Sequence, residues 1–219
     1  MKIEIWSDVV CPWCYIGKRR LERALGQFEH ADEVEIAWRS FQLNPDTPAG
    51  TAAPTLEYLA RRFGPQAKAM TGRVAELAAD EGLDFDFDAA LTVNTLDAHR
   101  LLHLAADLGI GDAAKERLLR AHFTEGADLS DHETLTRLLG AAGADPERAR
   151  AVLAGAEYTD AVHADIADAR RLGANGVPFF VIDRRYGISG AQPAETFLQA
   201  LRTAYAAETA PPRTGAAPR

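Results

Sequence analysis

Both cysteines of this 219-residue chain fall within four positions, Cys11-Pro12-Trp13-Cys14, and opposite periodicities flank that tetrapeptide. Ahead of it, residues 2–7 (KIEIWS) alternate apolar Ile3 and Ile5 with polar neighbours, the period of a half-buried strand. Behind it, Leu21, Leu25 and Phe28 recur at helical spacing among Lys18, Arg19, Arg20, Glu22 and Arg23. Proline suits the first helical position, so Cys11 is expected at a helix N-terminus. Residues 34–41 (VEIAWRSF) alternate again. A strand, a helix and a strand in this order predict a βαβ unit, with parallel pairing and a right-handed crossover as the default.

Residues 42–54 hold three prolines and a glycine and are expected to form a loop. Helical spacing then runs through 56–63, 66–81, 94–108, 112–123, 131–142, 146–154 and 157–172, divided by glycines. Asp131 and the Asp145-Pro146 pair read as N-terminal caps. The strand signal returns in 177–183 and again in 186–189 as a hairpin, although Pro178 inside the first run is anomalous for a strand. Pro193 opens a last helix carrying Phe197, Leu201 and Tyr205, and residues 207–219 are expected to be a disordered tail. The predicted fold class is α/β. Residues 1–54 and 175–206 build one small mixed sheet with its helices, and an all-helical insertion, 55–174, interrupts it.

Three chemistries use two cysteines separated by two residues. Covalent haem attachment needs histidine after the second cysteine, and Tyr15 stands there. A structural zinc site needs two more ligands; His99 and His103 have the chemistry, but they lie far beyond the spacing of a compact zinc motif, and no metal is expected. The third is thiol–disulfide exchange. A thiolate at a helix N-terminus is stabilised by unpaired N–H groups and the positive end of the helix dipole, which points to Cys11 as nucleophile. Cys14, one turn on, is placed to attack a mixed disulfide, and Pro12 and Trp13 tune the turn between them. Two inert buried thiols are the plain alternative. Trp13 is expected to be exposed beside the nucleophile, whereas Arg184 and Arg185 read as solvated turn residues.

A net charge of −8 opposes a nucleic-acid or anionic-membrane partner. Glu4 and Asp8 interrupt the apolar run that a secretory signal requires, and no window is apolar enough to span a membrane. With no cysteine outside the pair, a reducing, cytoplasmic location is expected.

Several separated motifs resemble a known family. Cys11-Pro12-Trp13-Cys14 after a first strand, a helical insertion, and Gly176-Val177-Pro178 leading a late strand are similar to the DsbA-like branch of the thioredoxin superfamily. Within it, the run 7–17 (SDVVCPWCYIG), Val93-Asn94-Thr95 with Ala98-His99-Arg100, and Ile188-Ser189-Gly190-Ala191-Gln192-Pro193 resemble FrnE-like oxidoreductases, whose kin include 2-hydroxychromene-2-carboxylate isomerases and kappa-class glutathione transferases.

The resemblance implies a thioredoxin-like fold, a cis Pro178 opposite the cysteines, and Val177 offering its backbone to substrate. It implies a thiol–disulfide oxidoreductase with no cofactor beyond its cysteines and with glutathione as an optional co-substrate. The partners are then thiol- or disulfide-containing proteins or small molecules, and a homodimer is compatible. A glutathione-dependent isomerase or transferase, with Asn94 as a small-molecule contact, is the first alternative; for Asn94 itself, helix capping is the plainer role. A chaperone-like binding module is the second. Many relatives carry a buried acid six residues before the nucleophile, where this chain has Ile5.

Overall fold

A computed structural model of the chain describes residues 1–209. Strand β1 (Lys2–Ser7) leads into helix α1 (Pro12–Leu25), which is followed by β2 (Glu35–Ser40). After the inserted segment come β5 (Phe179–Ile182), β6 (Tyr186–Ser189) and α9 (Ala194–Thr209). The four strands form one sheet in the order β2-β1-β5-β6. β1 runs parallel to β2 and antiparallel to β5, with Ile5 opposite both Trp38 and Phe180. This is the mixed sheet that the βαβ and hairpin patterns predict.

β1 is central and buried on both faces. Ile3 and Ile5 join Leu21 and Phe28 below α1, and Phe197 and Leu201 of α9, in one core. Trp6 points to the other face, against Ala169, Phe179 and Val181. Ala169 belongs to α8 (Thr159–Arg171), and the Trp6 indole donates to the Asp165 carbonyl of that helix at 2.8 Å. Helix α8 therefore packs on the sheet as well as on the inserted helix Leu96–Asp107. A 3.6-residue period reveals an apolar stripe but not which layer it packs on.

The inserted segment holds α2 (Thr55–Phe63), α3 (Ala67–Asp80), α4 (Leu96–Asp107), α5 (Gly111–Phe123), α6 (His132–Ala141) and α7 (Pro146–Ala154). Leu101, Leu118, Leu135, Leu138 and Val152 make its core. Both expected caps form, with Asp131 accepting from Thr134 N–H at 2.8 Å and Asp145 from Glu147 N–H at 3.0 Å. The insertion is not wholly helical: β3 (Ala52–Pro54), expected as loop, pairs antiparallel with β4 (Leu91–Val93). Strands of three residues are too short to display alternation. Helix α9 continues to Thr209, so the first residues of the expected tail are helical, and the remainder of that tail lies outside the described residues.

Helix α1 joins the two parts. Its inner side packs on the sheet, while Tyr15 and Ile16 pack with Ala78, Leu119 and Phe123 of α3 and α5. Buried Lys18 pairs with Asp112 at 3.3 Å and Glu116 at 3.1 Å on α5, and Arg20 pairs with Glu81 at 2.7 Å. The hairpin turn places Asp183 and Arg184 at φ 48° and 56°, the left-handed backbone of tight two-residue turns. Arg184 is solvent-exposed as expected, and it also pairs with buried Glu4 and with Asp168 and lies 5.6 Å from the Trp6 ring. Among the described residues, no helix is long and apolar enough to cross a membrane.

Candidate active site

Cys11 is the N-cap residue of α1, with Pro12 in the first turn, as the sequence leads one to expect. Its carbonyl accepts from Cys14 N–H at 3.0 Å, which brings the second thiol around one turn. Both cysteines are buried: Cys11 is 3% exposed and Cys14 1%. Trp13 between them is 39% exposed.

The late strand meets the thiols from the opposite side. The Val177–Pro178 peptide bond is cis, and the Cys11 thiol donates to the Val177 carbonyl at 3.5 Å. Gly17 makes this approach possible. A Cβ there would lie 3.1 Å from Pro178 Cγ and 3.3 Å from Phe180 Cζ, so Pro178 and Phe180 would have to give way by a few tenths of an ångström. Cys11, Cys14, Pro12, Trp13, Val177 and Pro178 are thus brought together. Asn94 is engaged elsewhere. Its Oδ1 accepts from Leu96 N–H at 2.9 Å at the start of α4, and its amide donates to the Thr47 carbonyl at 2.6 Å.

Three polar side chains beneath the thiols escaped sequence reasoning as site residues. Asp8 is fully buried, accepting from Leu43 N–H at 2.8 Å and meeting His99 Nε2 at 3.2 Å. Burial pushes the Asp8 carboxyl up, but the His99 hydrogen bond and the nearby positive charges outweigh it and hold it below the usual range. Burial also holds His99 down, against the pull of Asp8, so its ring is neutral at pH 7 and donates Nε2–H to the carboxylate. Lys115 of α5 is the third. It is 1% exposed and has no carboxylate within 4 Å among the described residues; its Nζ lies 5.4 Å from the Trp38 ring centre. Burial lowers its pKa to about 8, against the pull of Cys14, Asp8 and Cys11. Lys115, Leu119 and His122 recur at i, i+4 and i+7, so two polar residues on an apolar stripe were the available signal.

The thiols titrate as a pair. Donating its hydrogen bond to Cys14, together with burial, pushes the Cys11 proton up; at Cys14, burial is outweighed by that bond accepted from Cys11 and by the charge of Lys115. The first proton therefore leaves below the ordinary thiol range and the second well above it. These directions place the single negative charge on Cys14, not on Cys11 where the helix N-terminus led one to expect it, while a substrate arriving at the Val177 side meets Cys11. No group of three or more His, Cys, Asp or Glu residues among the described residues is arranged to hold a metal.

A dithiol at a helix N-terminus, facing a cis-proline loop on a four-stranded mixed sheet, defines a thioredoxin-like redox fold with an inserted helical domain. The chain belongs to the DSBA-like thioredoxin domain family, whose profile matches residues 2–202. It is similar to the probable DsbA oxidoreductase SCO1869 from Streptomyces coelicolor, with 45% identity, a TM-score of 0.91, and coverage of 99% of this chain and 94% of that one. The Bacillus subtilis (strain 168) protein YwbO is 26% identical over 202 residues, which cover 91% of this chain and 94% of YwbO. The cytosolic disulfide reductase DsbM from Pseudomonas aeruginosa, solved with GSH, shares the fold at 23% identity and a TM-score of 0.63, covering 93% of this chain and 98% of that one.

Proposed function

We propose that this protein is a thiol–disulfide oxidoreductase working through Cys11 and Cys14. The observation that carries the reading is the Cys11 thiol at the N-terminus of α1, 3.5 Å from the carbonyl that precedes a cis-proline. In the reductive direction, the Cys11 thiolate attacks a substrate disulfide, forming a mixed disulfide and releasing one substrate thiolate, which takes a proton. Cys14 then attacks the Cys11 sulfur, closing the Cys11–Cys14 disulfide and releasing the second thiolate. Two electrons leave the protein dithiol, and the reverse sequence oxidises a substrate dithiol. Lys115 supplies the positive charge that favours one thiolate in the pair.

Substrate backbone is held at Val177, whose N–H makes no hydrogen bond among the described residues. The location is cytoplasmic and glutathione serves as co-substrate, a reading supported by the likeness to DsbM and by the lack of any cysteine outside the pair. Two thiols one helical turn apart favour exchange over the isomerase and transferase chemistry of the wider fold group. Replacing Cys11 by serine is expected to abolish reduction of glutathione disulfide and of a protein disulfide, while Cys14→Ser accumulates a mixed disulfide visible by mass spectrometry. Full activity in Cys11→Ser refutes the mechanism, and anti-aggregation activity that survives loss of both thiols favours the chaperone alternative.

A further inference from the structure

Strand β1 ends on a residue that packing alone does not explain. Ile3 and Ile5 turn to the face that α1 covers and pack there with Leu21, and the two-residue period carries Ser7 to the same face. Ser7 is 0% exposed, and its buried hydroxyl makes no hydrogen bond to oxygen or nitrogen among the described residues. A hydroxyl left so is costly, and alanine would complete the apolar face without that cost.

Cys14 comes down on this face from above. It precedes Leu21 by seven residues, two helical turns, so the two share the side of α1 that lies on the sheet. Burial works against a charge on the Cys14 sulfur; what favours it is the bond from Cys11, the charge of Lys115 on α5, the Ser7 hydroxyl and the Asp8 N–H. The Asp8 carboxylate is itself engaged by Leu43 N–H and His99.

These supports do not all survive the reaction. The bond from Cys11 leads them, and it needs the Cys11 proton. Once Cys11 is joined to a substrate sulfur it has no proton to donate, yet this is the moment when Cys14 must attack as a thiolate. Lys115, the Ser7 hydroxyl and the Asp8 N–H then remain.

We propose that the Ser7 hydroxyl is the side-chain donor that holds the Cys14 thiolate while the mixed disulfide is resolved, which makes Ser7 a catalytic residue of that step. The proposal rests on the exchange reading above and adds a residue to it. In the step, an S–S bond forms between Cys14 and Cys11, the bond from Cys11 to the substrate sulfur breaks, and its electron pair leaves with the substrate thiolate. Any proton on Cys14 has first passed to solvent. Oxidation of the protein dithiol by two electrons is then complete.

The pH profile of disulfide closure tests this. Reduced full-length chain is mixed with excess glutathione disulfide and quenched in acid at intervals, and mixed and closed disulfides are counted by mass spectrometry. Without its donor, Cys14 in Ser7→Ala should ionise about one pH unit higher. A more basic thiolate is also a better nucleophile, with a slope of about 0.4–0.5, so closure should slow roughly threefold below the midpoint and quicken roughly threefold above it. The two profiles therefore cross, which damage to the fold cannot produce, since it lowers the rate at every pH. Ser7→Thr keeps the hydroxyl and should restore the parent midpoint. Thr136→Ala removes another buried, partnerless hydroxyl, on α6, and should move nothing. An unmoved midpoint in Ser7→Ala, a uniform loss of rate, or an equal shift in Thr136→Ala overturns the proposal. If the unsubstituted chain forms no mixed disulfide with glutathione disulfide, the exchange reading itself fails; closure in that chain with an unchanged profile in Ser7→Ala sinks only the role of Ser7.

Discussion

Replacing Lys115 by methionine separates what the buried cation does for the thiols from what it does to the fold. An unfolded lysine titrates near 10.5, and in the folded chain burial brings Lys115 to about 8. At ~1.4 kcal/mol per pH unit, that gap makes the charged ammonium a cost of roughly 3 kcal/mol at pH 7. The sign follows from proton counting. Between pH 8 and 10.5 the unfolded chain still holds a proton that the folded chain has released, so stability rises with pH across this window and the penalty is complete below it. Methionine keeps the length and removes the charge, so Lys115→Met is expected to be more stable at pH 7 by up to roughly 3 kcal/mol. The advantage should shrink to nothing as pH climbs through the window. Urea unfolding is the assay; in the disulfide form, where Cys14 and Cys11 no longer pull the charge in, the advantage at pH 7 should be at least as large and the window should open at lower pH. The same substitution takes the counter-charge from the thiol pair. If the first thiol pKa rises by about one unit, the reduction potential becomes more negative by up to about 30 mV, the full amount being reached where the parent's thiolate is fully formed. A variant that is less stable than the parent at pH 7, or whose advantage is flat with pH, refutes the electrostatic account of Lys115. So does an unmoved thiolate titration.

Gly17→Ala should loosen the contact between α1 and the cis-proline. The added Cβ meets Pro178 Cγ at 3.1 Å and Phe180 Cζ at 3.3 Å. Overpacking of this kind costs about 1–3 kcal/mol, and the better helix propensity of alanine returns up to ~1 kcal/mol, so a net loss in urea and slower exchange are expected; a neutral or stabilising outcome removes the close-approach argument. Glu116, which bridges α5 to α1, is held at about 2: burial raises it, but Arg19, Tyr15 and Lys18 outweigh burial. Its contribution is therefore complete above pH 4.5 and lost as pH falls towards 2. Melting temperatures of the parent should fall more steeply over that range than those of Glu116→Gln, and parallel curves contradict it.

The parts of the site that the sequence displays are those built from neighbours in the chain. Cys11 to Cys14 between a strand and a helix, and Val177-Pro178 before another strand, each carry their structural context within a dozen residues. Most helix boundaries were readable to within two residues because the glycines and caps that end them are local. What stayed hidden depends on distant partners. Asp8, His99 and Lys115 look unrelated in the chain, and Lys115 reads as an ordinary helical lysine until α5 is known to lie against α1. Arg184 has turn chemistry in sequence and an ion pair with Glu4 in space. The β3–β4 ladder is hidden for a different reason: two three-residue strands hold too few positions for any period to show.

The arrangement of α5 bears on why the insertion exists. Lys115 and His122 lie seven residues apart on one helix, two turns, which sets them about 10 Å apart along one face. The first bears on the thiols and the second lines a pocket beside them, so one rigid element reaches both. Lys18 pairs with Asp112 and Glu116, and Arg20 and Arg23 pair with Glu81, so both α5 and α3 are fastened to the helix that carries the cysteines. Ile5 stands where many relatives have a buried acid, and the buried cation beside the thiols comes from the insertion. A sheet domain without these helices would keep Cys11 and Cys14 on α1 yet lose the cation beside them and the wall of the pocket. The inserted helices therefore supply the buried charge beside the candidate site.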